Sequence, residues 1–340
     1  MKSITAFLFI ISTLFLAAQE NFSFSKLSGE FFGQKKPGFS PQIFAPGIIS
    51  TGFNERDIAI SPDGKEIFYG FLTGKNITIM YTQIENGYWT EPVVASFASD
   101  GNFFYLEPCF SPDGNQVIFL STKPPTGKEA KPKWAYQNLW ASNKNENGKW
   151  GEPFNPDTVF INNGNQQYYP SFTKSGTMYF TRNDIKTKRS MVCRSRLING
   201  KFSEAEMLPQ IVNQEANTIY NAFISPAEDY LLACIDNKTS DINPGCANYY
   251  VFFRDTSGQW SDAVSFGPEI NIKGSNAISA SVSPDGKYLF FAAQKLSDSN
   301  RELLEMKNLG SMLKLLYSPQ NGNYDLYWVD AGVIENLRPK

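Results

Sequence analysis

Apolar and polar positions along this chain fall into pairs of short apolar runs joined by one recurring polar turn. Asp57-Ile58-Ala59-Ile60 leads into Ser61-Pro62-Asp63-Gly64, and Lys65-Glu66-Ile67-Phe68-Tyr69 leads out. An Asp-Gly pair between two apolar runs is a hairpin signal, because Gly accepts positive φ and Pro presets its own. The pattern returns as Cys109-Phe110-Ser111-Pro112-Asp113-Gly114 before Val117-Ile118-Phe119, and as Ser281-Val282-Ser283-Pro284-Asp285-Gly286 before Tyr288-Leu289-Phe290-Phe291. Two altered copies lie between them: Ser171-Phe172-Thr173-Lys174-Ser175-Gly176, and Phe223-Ile224-Ser225-Pro226-Ala227-Glu228. The turns recur roughly every 50–60 residues, the period of a propeller, solenoid or array.

Each repeat divides further. A strand ends at the turn, a second starts after it, and a third follows, as in Ile77-Thr78-Ile79-Met80-Tyr81 and Tyr249-Tyr250-Val251-Phe252-Phe253. A Gly-containing turn and an aromatic then open a fourth, at Trp89, Trp150, Phe202 and Trp260. Four short strands per repeat make a propeller blade. The fifth repeat lacks its fourth strand, while the segment Gln42-Ile43-Phe44-Ala45-Pro46-Gly47-Ile48-Ile49 is a strand without a repeat. The expected fold is therefore an all-β, five-bladed propeller of four-stranded blades, its last blade closed by an N-terminal strand. Blades begin near residues 55, 105, 167, 219 and 277, and closure leaves no exposed sheet edge.

These repeats resemble the WD40-like, TolB-type propeller repeat, whose mark is the Ser-Pro-Asp-Gly hairpin after an apolar strand. The resemblance covers roughly residues 40 to 335 and implies a propeller. It implies no one activity, since similar repeats serve partner-binding proteins and the propeller halves of peptidases.

Residues 1–19 read as a secretory leader, with Lys2, an apolar run from Ile4 to Leu16, and Ala17-Ala18. The run is short for a span of about 20 residues. The expectation is an exported protein, periplasmic, cell-surface or extracellular, with one propeller domain over residues 20–340 and no membrane span after leader cleavage. Its 340 residues contain no histidine, which removes His general bases and His-ligated metals, and no metal or cofactor is expected. A net charge of −2 gives no footprint for nucleic acid.

Connections between second and third strands vary widely, whereas those at the Ser-Pro-Asp-Gly end are short and uniform. Variable loops on a rigid scaffold usually carry function. One such loop holds Trp134, and another, near 301–316, has leucines at helical spacing and is expected to form one short helix. Four residues before each turn stand Asp57, Glu107, Tyr169, Asn221 and Ser279, all able to hydrogen-bond. They form a candidate ring at the channel mouth, with Arg56, Tyr105, Tyr168 and Tyr220 beside it. The same ring also fits a channel end that is simply hydrated.

Two functions follow. One is a non-catalytic module binding a protein, peptide or glycan through the variable face and channel mouth. The other is a glycoside-hydrolase-like enzyme with Asp57 and Glu107 as its carboxylate pair. A third acid is missing where Tyr169 and Asn221 stand, which weighs against catalysis. Cys234 and Cys246 flank one connection, where export would permit a disulfide.

Overall fold

Each second strand carries an unbroken apolar run, and the packing explains why a two-sided strand needs one. A computed structural model describes residues 24–132, 134–156, 165–184, 186–214, 218–236 and 242–339. The expected leader, residues 1–19, lies outside them. Five antiparallel sheets stand in a ring, each built outward from an inner strand. Those inner strands are Asn54–Ile60, Tyr105–Phe110, Asn165–Phe172, Thr218–Ile224 and Ala280–Val282. Blade 2 takes its fourth strand from a single bridge, Ala141 to Phe154.

Alternate residues of a second strand point to opposite sheet faces, so each strand feeds two seams. Phe68 packs against blade 2 with Phe110 and Phe119, while Ile67 and Tyr69 pack against blade 5 with Phe290 and Trp328. Val117 and Phe119 likewise face blade 1, and Ile118 faces Met178 and Phe180 of blade 3. The core of the molecule is thus five inter-blade seams around a channel.

Blade 5 is closed as the orphan strand requires. Gln42 pairs with Trp328 and Ile43 with Tyr327. Phe31 and Phe44 pack their rings against Phe290 and Trp328 behind that strand, making this seam the richest in aromatics.

At the repeated turn, Ser61 Oγ donates to Asp63 Oδ1 at 2.6 Å and accepts from the Glu66 amide, while Gly64 takes φ 72°. The altered copies keep this geometry with other groups. Ser175 replaces the acid opposite Thr173, and Asp229, two residues late, accepts from Ser225. Glu228 then occupies the glycine position at φ 61°.

The blade 5 insert holds two helices rather than one, α1 (Asp298–Glu305) and α2 (Leu309–Leu316). Lys307 at φ 50° breaks the run, and Asn308 caps the second helix through the Ser311 amide. Among the described residues no helix is long and apolar enough to cross a membrane.

Candidate functional site

The inner strands share a defect that places the polar ring. In blades 1 to 4 the ladder to the second strand slips by one residue, so that residues 57 and 58, 107 and 108, 169 and 170, and 221 and 222 each oppose one partner. These are β-bulges, which bend the strand and leave an amide unpaired. Asp57, Glu107, Tyr169 and Asn221 are the first bulge residues and take φ 56°, 59°, 53° and 48°. Side chains in this left-handed region cost about 1–2 kcal/mol each, so something must hold them.

What holds them is a relay around the ring. The Asp57 amide donates to Ser279 Oγ of blade 5 at 3.2 Å. The Glu107 amide sits beside the Asp57 carboxylate and favours its charge. The Tyr169 amide donates to Glu107 Oε2 at 2.8 Å. At blade 4 the relay changes hands, and the Asn221 amide donates to Thr181 Oγ1. The Asp57, Tyr169 and Asn221 amides are thereby satisfied by the preceding blade, and the acceptors at Ser279 and Glu107 serve the first two of them. Ser279 has no bulge; its amide and that of Ile278 donate to the hydroxyl of Tyr249.

Arg56 ties the acids together. Its Nε donates to Asp57 Oδ2 at 2.7 Å and one terminal nitrogen to Glu107 Oε1 at 3.2 Å. The same nitrogen lies 3.4 Å from the Ile278 carbonyl, which also accepts from Asn221 Nδ2. Tyr169 crosses the channel, its hydroxyl donating to the Ala280 carbonyl at 3.0 Å. The ring is accordingly a plug within the channel and not an open mouth.

Burial raises the Asp57 carboxyl above its ordinary value, and the Arg56 guanidinium pulls it back. Burial and the Asp57 charge push Glu107 up to about 8, against Arg56 and the Tyr169 amide. Burial works against the Arg56 charge, but the two carboxylates outweigh it and keep the guanidinium protonated.

A cavity of about 270 Å³ stands on this plug, with Asp57, Glu107 and Tyr169 in its floor. Its walls are Ile60, Phe110, Phe172, Phe223 and Val282, and its rim is Pro62, Pro112, Pro226 and Pro284 with Lys174. Those prolines belong to the repeated turns. The cavity therefore opens at the uniform hairpin end, opposite the variable loops where the sequence directed attention. All four rim prolines follow the serine of a repeated turn.

The remaining candidates lie elsewhere. Tyr168 meets Ser190 through its hydroxyl, and Tyr220 donates to the Ala277 carbonyl, both outside the cavity lining. Tyr105 is in the seam core beside Phe119. Trp134 packs its ring on Phe104 in the loop. The proposed disulfide is corrected: Cys234 and Cys246 are free thiols. Cys234 is fully buried in the seam between blades 4 and 5 with Leu232, Tyr249 and Phe291, and burial raises its thiol well above the ordinary value. Among the described residues no group of three or more His, Cys, Asp or Glu is placed to hold a metal.

No known family model matches this chain, and no curated protein matches it in sequence. Solved structures share the propeller trace. TolB from Acinetobacter baumannii is 13% identical over 90% of this chain and 68% of that one, with a TM-score of 0.47. A family 117 glycoside hydrolase from Zobellia galactanivorans is 11% identical over 87% and 90%, at 0.45. A prolyl endopeptidase is 14% identical at 0.37, and the chain covers 70% of itself but 30% of that enzyme. The class that the fold defines is the five-bladed β-propeller. At this identity the neighbours say nothing about its chemistry.

Proposed function

We propose that this protein is a non-catalytic binding propeller that takes a segment of a protein or peptide into its channel from the hairpin end. One observation carries this reading: an apolar, proline-rimmed cavity stands over acids already engaged with protein groups. Binding sites are typically concave and mostly apolar with a few convergent polar groups. A glycoside hydrolase needs one acid free to donate and another free to act as base or nucleophile. Here one guanidinium holds both carboxylates, and Glu107 also accepts an amide. The leader-like residues 1–19 support an exported protein.

Selection of a displayed peptide library on the purified protein tests the reading. Selected peptides should lose about tenfold or more in affinity, some 1.4 kcal/mol, with Cys109→Phe, which fills the cavity wall. Trp134→Ala in the variable loop should leave affinity unchanged. The reverse result would move recognition to the loop face. Oligosaccharide turnover that disappears with Asp57→Asn would overturn the non-catalytic reading.

A further inference from the structure

Resting on the reading of the channel as a ligand site, we propose that the ligand enters with one positively charged nitrogen on an apolar stem, which seats against Asp57 and Glu107. The argument is a charge count. The channel floor holds two buried carboxylates, Asp57 and Glu107, and one guanidinium, Arg56. The cluster is one positive charge short, and an uncompensated buried charge is strongly unfavourable.

A second observation says where the missing group belongs. Asp57 is 3% exposed and lines the cavity, yet its Oδ1 has no hydrogen-bond partner of acceptable geometry. Buried acceptors are normally satisfied. The Glu107 amide and the Ser279 hydroxyl lie close enough to favour the Asp57 charge, yet neither meets Oδ1 with hydrogen-bond geometry. The walls above it, including Phe110, Phe172 and Phe223, suit an alkyl stem.

In the unliganded protein the deficit is met by a proton. Facing Glu107 are Asp57 and Arg56 from blade 1, Tyr168 and Tyr169 from blade 3, and Cys234 from blade 4; Arg56 alone among them is cationic. Burial and Asp57 hold the Glu107 proton up to about 8. A ligand cation takes over its role, and the proton leaves to solvent. Charge balances on both sides: one cation enters and one proton departs.

The test uses n-hexylammonium, with 1-hexanol and hexanoate as matched probes, by titration calorimetry on the full protein near neutral pH. Repeating it in two buffers of different ionisation heat counts released protons. Hexylammonium should bind at least about tenfold more tightly than hexanol, should release a proton, and should outcompete a selected channel peptide; hexanoate should not bind. Asp57→Asn should remove the preference for ammonium over hexanol. Equal binding of ammonium and alcohol, or binding without proton release, would overturn the charge assignment and leave the channel reading standing. Failure of all three probes to bind or to displace a selected peptide would overturn both. The comparison among probes is made on the unaltered protein, so it stands even if Asp57→Asn does not fold.

Discussion

At the hairpin end of the channel, turns of nearly constant length surround an apolar cavity; at the loop end, connections of every length surround strands stoppered by an ion cluster. The same five inner strands make both ends. What separates them is the bulge, which interrupts each of four strands at the level of Asp57, Glu107, Tyr169 and Asn221. Toward the hairpins the strand residues show apolar side chains to the channel, such as Ile60, Phe110 and Phe172. At the bulge the freed amides demand acceptors, and Arg56 must then neutralise them. The variable end is therefore not where the chain leaves its channel open. Loop diversity shows where a scaffold tolerates change, which is a different matter from where it offers a cavity.

The largest expected effect comes from removing the stopper. Arg56→Met keeps the bulk of the side chain and leaves the buried Asp57–Glu107 acid pair without its cation, the Asp57 charge uncompensated. Breaking a buried pair in this way costs about 3–5 kcal/mol, read as a lower urea midpoint with an unchanged slope. A loss below about 1 kcal/mol, the scale of an exposed pair, would mean that the acids are held by the relay alone and that the contrast between the ends does not depend on charge.

A smaller effect follows from pH. Burial lifts Glu107 from 4.5 to about 8, Glu55 from 4.5 to about 7, and Asp325 from 3.8 to about 8. In each case the folded state holds its proton more tightly than the unfolded chain. Stability from these groups is therefore full below the ordinary carboxyl values and declines as pH rises toward 7 and 8. For Glu107 alone the loss from about pH 5 to about pH 8 should be on the order of 3 kcal/mol, with Glu55 and Asp325 adding to it, measured by urea unfolding at a series of pH values. Glu107→Gln should make the decline shallower by the Glu107 share, leaving that of Glu55 and Asp325. It should also lower stability at pH 5, because its amide must present a donor either to Arg56 or to the Tyr169 N–H. A flat profile in the parent protein would mean that the cluster stays ionised throughout.

The architecture was legible because it is a matter of period. The turn spacing gave five blades, the unpaired Gln42-Ile43 gave closure, and alignment on the Ser-Pro turns brought Asp57, Glu107, Tyr169, Asn221 and Ser279 to one level. Their depth was hidden, since alternation in steps of two assumes an unbroken ladder and a bulge resets it. A signal was present. Pro108 and Pro170 immediately follow Glu107 and Tyr169 inside inner strands, and a proline there marks a bulge or an edge. The partnership of Arg56 with both acids had no such mark, because Arg56 and Glu107 lie 51 residues apart and meet only when blades 1 and 2 pack. The Cys234 thiol was misplaced for a related reason: spacing along the chain gave its nearness to Cys246 but not the face of the strand it occupies.

The smallest effect probes the loop end directly. Gly52 lies beneath the helical insert, and a Cβ added there would come within 1.7 Å of the Leu316 carbonyl oxygen. Asn321 and Asn323 both donate to the Gly52 carbonyl, so the base of the insert is fixed to blade 1 at this point. Gly52→Ala must push α2 away while leaving the seams intact, since Phe44, Phe290 and Trp328 pack elsewhere in the closing seam. The expected cost is about 1–2 kcal/mol, in the range for overfilling a packed site. Faster proteolysis within residues 297–320 should accompany it. Channel binding of the selected peptides and of hexylammonium should not change, because no residue of the insert lines the cavity. A parallel loss of channel affinity would show that the two ends are coupled through blade 5, and the division between a binding end and a stoppered end would have to be redrawn.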